Sequence, residues 1–144
     1  MNGPLTPSPV TWHFWTIGVL ALVWNAAGAM NFFAQTDPDV LAQMSWQART
    51  LVELQPGWAR MGFALAVFGG TAGCVLLLWR KPLAYYLFVA SLAGLLIQVL
   101  YTLSVAAEAE LGAFESFMYL VLPLIIGVFL VAYAKRCERR GWVH

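Results

Sequence analysis

Long stretches without formal charge alternate along this chain with short charged clusters. Residues 1–36 contain no Asp, Glu, Lys or Arg, and further charge-free runs cover 61–79, 82–107 and 116–134. Together with the interfacial residues that flank them, these runs define four spans, about 12–34, 58–79, 82–106 and 114–134. At ~1.5 Å rise per residue, each is long enough to cross the ~30 Å hydrocarbon core of a bilayer. Spanning strands would need tilted segments of about ten residues with alternating polarity, and none is present. Backbone in hydrocarbon has to bond to itself, so the spans are expected to be helices. The pattern predicts an all-α membrane protein, a four-transmembrane-helix bundle.

The segments between the spans have patterns of their own. "MNGPLTPSPV" is rich in Pro, Gly and Ser, which predicts a disordered N-terminal tail over 1–11. In the longest connection, 35–57, Val40, Leu41, Met44, Ala48, Leu51 and Val52 recur at helical spacing, while Asp39, Gln43, Gln47 and Arg49 lie largely off that stripe. Asp37 is a candidate cap and Pro38 a first-turn residue, and Pro56 and Gly57 end the segment. One amphipathic helix over about 38–55 is therefore expected in the first outer loop, either as an interfacial anchor or as a lid on the bundle. Pro123 sits inside the fourth span and predicts a bend there. Residues 135–144, "KRCERRGWVH", read as a basic cytoplasmic tail lying on an anionic leaflet.

Composition agrees with the pattern. Of 144 residues, 61% are hydrophobic and 10% charged, against about a quarter charged in ordinary soluble domains. The distribution of charge adds an orientation. With four spans, both termini share one side with the turn between spans two and three. That side holds Arg80, Lys81, Lys135, Arg136, Arg139 and Arg140, six of the eight basic residues. The opposite side holds Arg49 and Arg60 with Asp37, Asp39, Glu53, Glu108, Glu110 and Glu115. Basic residues remain in the cytoplasm, so both termini are expected there. The net charge of +1 conceals this asymmetry and offers nothing to a nucleic acid. An N-terminal segment without Lys or Arg is a poor cleaved signal peptide, so the first span is expected to be kept.

Chemistry-bearing residues are few. Cys74 and Cys137 have no C-x-x-C partner or metal-ligand spacing, and read as an apolar filler and a surface thiol. No span has a carboxylate, lysine or histidine pair to relay protons. There is no nucleophile–base pair, metal cluster or phosphate loop. Neither an enzyme nor a cofactor is expected.

Polar and small residues within the spans are the remaining signal. Gly18, Ala21, Asn25 and Gly28 share one face of span one, and Gly62, Ala66, Gly69 and Gly73 one face of span two. Ser91, Gly94, Gln98 and Tyr101 share one face of span three. Small residues let helices approach closely and carboxamides bond across the gap. Gly28, Gly69, Gly73 and Gly94 are accordingly the candidate packing positions. Counted along their spans, Asn25 and Gln98 fall within one helical turn of the same level, so a shared hydrogen bond is expected, with Tyr101 close above. Arg60 and Glu115, at the outer mouths of their spans, are a candidate ion pair. Two readings follow. In one, the carboxamides hold the helices in register. In the other, Asn25, Gln98, Tyr101, Arg60 and Glu115 line an outward pocket for a small hydroxylated solute.

The order "LVWNAAGAMNF", "QPGWARMGFALAVFGGTAGCVLLLWRKPLAYYLFVASLAGLLIQVLY" and "AKRCERRGW" resembles a family of small bacterial four-helix membrane proteins, many labelled "sugar transporter". The resemblance covers about residues 12–142 and implies a multi-pass protein of the bacterial inner membrane. It supplies no binding residues. The chain does not look like the three-helix sugar exporters, since it has no Pro-Gln dipeptide. The expectations for function are a solute-handling protein, working as a homo-oligomer if it transports, or an accessory subunit docking on a larger membrane complex.

Overall fold

The computed structural model describes residues 8–144. The chain begins with α1 (Trp12–Ala34), followed by two short helices, α2 (Pro38–Gln43) and α3 (Trp46–Glu53). Next come α4 (Gly57–Leu78) and α5 (Leu83–Val105). A final helical run consists of α6 (Ala113–Ser116), a π-helical turn (Phe117–Val121) and α7 (Leu122–Arg139). Four helices are long and apolar enough to cross a membrane: α1, α4, α5 and the run Ala113–Arg139. The described residues contain no strand. This is an all-α, multi-pass membrane protein. The span ends lie within a residue or two of those expected, except that the last helix continues to Arg139.

The helices pack in the order α1–α4–α5–α7, and α4 against α5 is the most extensive contact. They cross closely because both surfaces lack side chains at the crossing point. A Cβ on Gly94 would stand 2.5 Å from the Gly62 carbonyl oxygen and 2.8 Å from the Ala66 nitrogen. Gly28 admits Val67 of α4, and Gly73 admits Phe88 of α5. Gly69 is roomier, with Ser91 at 3.5 Å from a Cβ built there. Between α1 and α7 packing is sparser, and a gap lined by Ile17, Leu20, Trp24, Ile126 and Phe129 separates part of their length. Exposed Trp12, Trp15 and Trp79 ring one end, and Trp46 and Trp58 the other. These are the depths at which indole rings meet headgroups.

At the end that holds the two termini the bundle is solid. Phe14, Cys74, Leu77, Ala84, Phe88, Leu130, Ala134 and Cys137 form one buried cluster. The C-terminal segment differs from the surface anchor expected, because Trp142 and Val143 join that cluster. Gly141 (φ 68) reverses the chain after α7, and the Trp142 amide bonds back to the Cys137 carbonyl. Arg80 Nε donates to the Trp142 carbonyl at 2.6 Å, and the His144 amide donates to the Arg80 carbonyl at 2.9 Å. Trp142 Nε1 also donates to the Ser8 hydroxyl at 3.0 Å. Cys137 is therefore buried in the core rather than a surface thiol. The expected disordered tail, 1–11, falls outside the described residues over 1–7; Ser8 beyond it is tied to Trp142.

The other end carries the two longer connections between the spans. The single amphipathic helix expected over 38–55 is instead two. Asp37 caps α2 by accepting from the Asp39 amide, and Ser45 caps α3 by accepting from the Ala48 amide. A serine that offers its own oxygen to the backbone favours a new N-terminus over a helix interior. The bend expected at Pro123 takes the form of the π turn just before it. A proline ring collides with the carbonyl four residues earlier, here Tyr119, and the widened turn makes room for it.

Candidate functional site: a chamber beneath the short helices

Between the solid end and the connecting segments lies a cavity of about 590 Å³. All four spans line it, and α3 with the α2–α3 junction roofs it through Met44, Ser45, Ala48, Leu51, Val52 and Gln55. Its apolar wall includes Trp24, Phe63, Val67, Phe88 and Leu95. Its polar groups are all uncharged: Asn25, Asn31, Gln35, Ser45, Gln55, Ser91, Gln98, Thr102 and Tyr119. No Asp, Glu, Lys, Arg or His lines it. A mostly apolar chamber with a few convergent polar groups is the usual form of a small-molecule site, and this volume is within the ~300–1,000 Å³ such sites occupy.

The helices set these groups at two levels. Toward the solid end, Asn25 Nδ2 donates to the Ala21 carbonyl at 2.9 Å and reaches Cys74 Sγ at 3.7 Å. Its Oδ1 lies against Gly70, in the space a Cβ there would fill. Ser91 Oγ approaches the same glycine and donates to the Ala66 carbonyl at 2.6 Å. Nearer the roof, Gln98 Oε1 accepts from Gln55 Nε2 at 3.0 Å. Tyr101, 2% exposed, donates its hydroxyl to the Leu51 carbonyl at 2.7 Å. These two bonds tie the roof to α5. The bonds of Asn25 and Ser91 stay within the bundle wall. Among the described residues, the side chains of Asn31 and Gln35 make no hydrogen bond.

Several expectations about individual residues change. Asn25 and Gln98 both line the chamber but share no hydrogen bond. Asn25 meets α5 beside Ser91, and Gln98 lies seven residues further along, about 10 Å or two turns. Counting from span centres misplaced the level because it takes no account of helix offset. Tyr101 is not in the lining, since its ring packs edge-on to Trp58 and its hydroxyl holds the roof. Arg60 and Glu115 form no ion pair. The Arg60 guanidinium lies over the Phe32 ring, 5.4 Å from its centroid, and Glu115 folds back beside Gly112. Neither reaches the cavity. Gln35, Ser45, Gln55 and Thr102 are lining residues absent from the expected site. Gln55 carried a readable signal, as a carboxamide at the end of an apolar stripe just before Pro56.

Comparison with protein-family models, curated proteins and solved structures finds no match for this chain. The reading of the site therefore rests on its own geometry.

Proposed function

We propose that this protein binds a small, uncharged, hydroxylated solute in the chamber, and that it does so in a bacterial inner membrane with both termini cytoplasmic. One observation carries the proposal: a cavity of about 590 Å³ inside a membrane protein, its mostly apolar wall set with carboxamides and hydroxyls and with no charged side chain. Burying a formal charge without a partner is costly, so a charged ligand would find no compensation there. A hydroxyl-rich ligand finds both donors and acceptors in Asn, Gln, Ser, Thr and Tyr. The excess of basic residues at the terminal end supports the orientation, and the resemblance to proteins labelled as sugar transporters accords with the solute class.

The experiment is a calorimetric titration of the protein in lipid nanodiscs with neutral sugars and polyols, and in parallel with sugar phosphates. The neutral compounds are expected to bind saturably and the phosphates at least tenfold more weakly. Gln98→Leu removes a lining carboxamide and leaves its half-buried partner Gln55 unmatched, and is expected to weaken binding about tenfold. Absence of saturable binding across the panel, or equal binding of the charged compounds, contradicts the proposal. So does a stoichiometric co-purifying protein partner in a preparation that binds no ligand.

A further inference from the structure

The chamber has a neighbour on the lipid side of the bundle. A second cavity of about 300 Å³ lies in the gap between α1 and α7, lined by Ile17, Leu20, Ala21, Trp24, Ile126 and Phe129 with Leu130. Every one of these side chains is apolar. Trp24, Ile126 and Leu130 belong to both linings, so chamber and groove share a wall. The groove faces outward, since Leu20, Trp24 and Phe129 are 65%, 43% and 48% exposed. In a spanning bundle that outward face meets hydrocarbon. The route from the water side, by contrast, is crossed by the roof and its two bonds to α5.

We infer that the ligand of the chamber is a neutral amphiphile taken from the bilayer, its uncharged hydrogen-bonding head among the carboxamides and its hydrocarbon chain in the α1–α7 groove. The inference rests on the solute-binding reading above and narrows its ligand class. The chamber is mostly apolar but holds all the hydrogen-bonding side chains of the two linings, and the groove offers none to a hydroxylated head. A molecule with both parts places its head in the chamber and its chain in the groove. The absence of charge in either lining excludes ionic headgroups from the fit. The groove itself confers little net attraction, because lipid tails are as apolar as its walls. It provides a path, and the head provides the selectivity.

The test uses the full chain in phosphatidylcholine nanodiscs. The probe is a long-chain 1-monoacylglycerol with a photoreactive diazirine at its chain end, and an alkyl sulfate with the same chain and diazirine is the charged control. After irradiation, mass spectrometry maps the labelled residues. Labelling by the monoacylglycerol is expected on the groove faces of α1 and α7, at least tenfold above the control and competed by unlabelled monoacylglycerol. Ile126→Trp, which fills the shared wall, is expected to abolish it. Leu20→Trp changes a lipid-facing residue that the fold does not need, and is expected to reduce labelling severalfold with the unfolding temperature unchanged. Equal labelling by the sulfate overturns the inference, as does label spread over the outer faces of all helices, or labelling that both tryptophan variants leave intact. Saturable binding of free sugars without groove labelling overturns the inference and leaves the solute-binding reading standing. If neither probe nor free sugar binds, both fall.

Discussion

The two ends of this bundle are made by the same four helices and differ in what fills them. At the terminal end, Phe14, Phe88, Leu77, Trp142 and both cysteines close the core. At the loop end the helices enclose a chamber lined by carboxamides and hydroxyls. The difference does not come from mean hydropathy, since all four spans are apolar enough to cross a membrane. It comes from where side chains meet partners. Glycines receive side chains from the facing helix at both ends: Leu78 against Gly18 and Phe88 against Gly73 near the termini, and Val67 against Gly28 beside the chamber. Near the termini, however, Trp142 and Val143 also fold in and fill the core. Near the loops, Gln98 and Tyr101 bond to the roof, Ser91 bonds into the wall, and the centre is left empty.

The largest expected loss lies at the solid end. Trp142→Ala removes a buried ring together with its bond to Ser8, and is expected to cost about 3 kcal/mol, read from the unfolding midpoint in mild detergent. Gly94→Ala comes next at about 2 kcal/mol, because its Cβ would meet backbone atoms that cannot move aside. Gly69→Ala is its control, with an expected change under about 0.5 kcal/mol, since a Cβ there makes ordinary contacts. Tyr101→Phe deletes one roof bond and is expected to cost about 1 kcal/mol. It is also expected to speed amide exchange across α3 while leaving exchange in α7 as it was.

Much of this architecture can be read from the order of residues, for physical reasons. Charge is so unfavourable in hydrocarbon that its absence over long runs fixes the four spans almost to the residue. The cap at Asp37 and the first-turn Pro38 act within a few residues and are equally legible. What escaped the reading depends on relations between helices. The partner of Asn25 is set by the offset of α1 against α4, and nothing within either helix encodes it. Arg60 looked like half of an ion pair because its charge was counted and the facing Phe32 ring was not. The C-terminal segment looked like a surface tail because four of its residues are basic. Gly141 followed by Trp142 was the overlooked sign of a chain that turns back and buries an indole.

The claim that one end is filled and the other hollow can be tested with a single paired measurement. Ala134 lies in the closed cluster and Ala48 in the roof of the chamber. Replacing each by Phe and comparing the two unfolding midpoints asks whether space is present at each end. Ala134→Phe is expected to overpack its site and cost about 2 kcal/mol or more, whereas Ala48→Phe is expected to leave stability unchanged or raise it and to abolish ligand binding. Equal losses at the two positions would contradict the account.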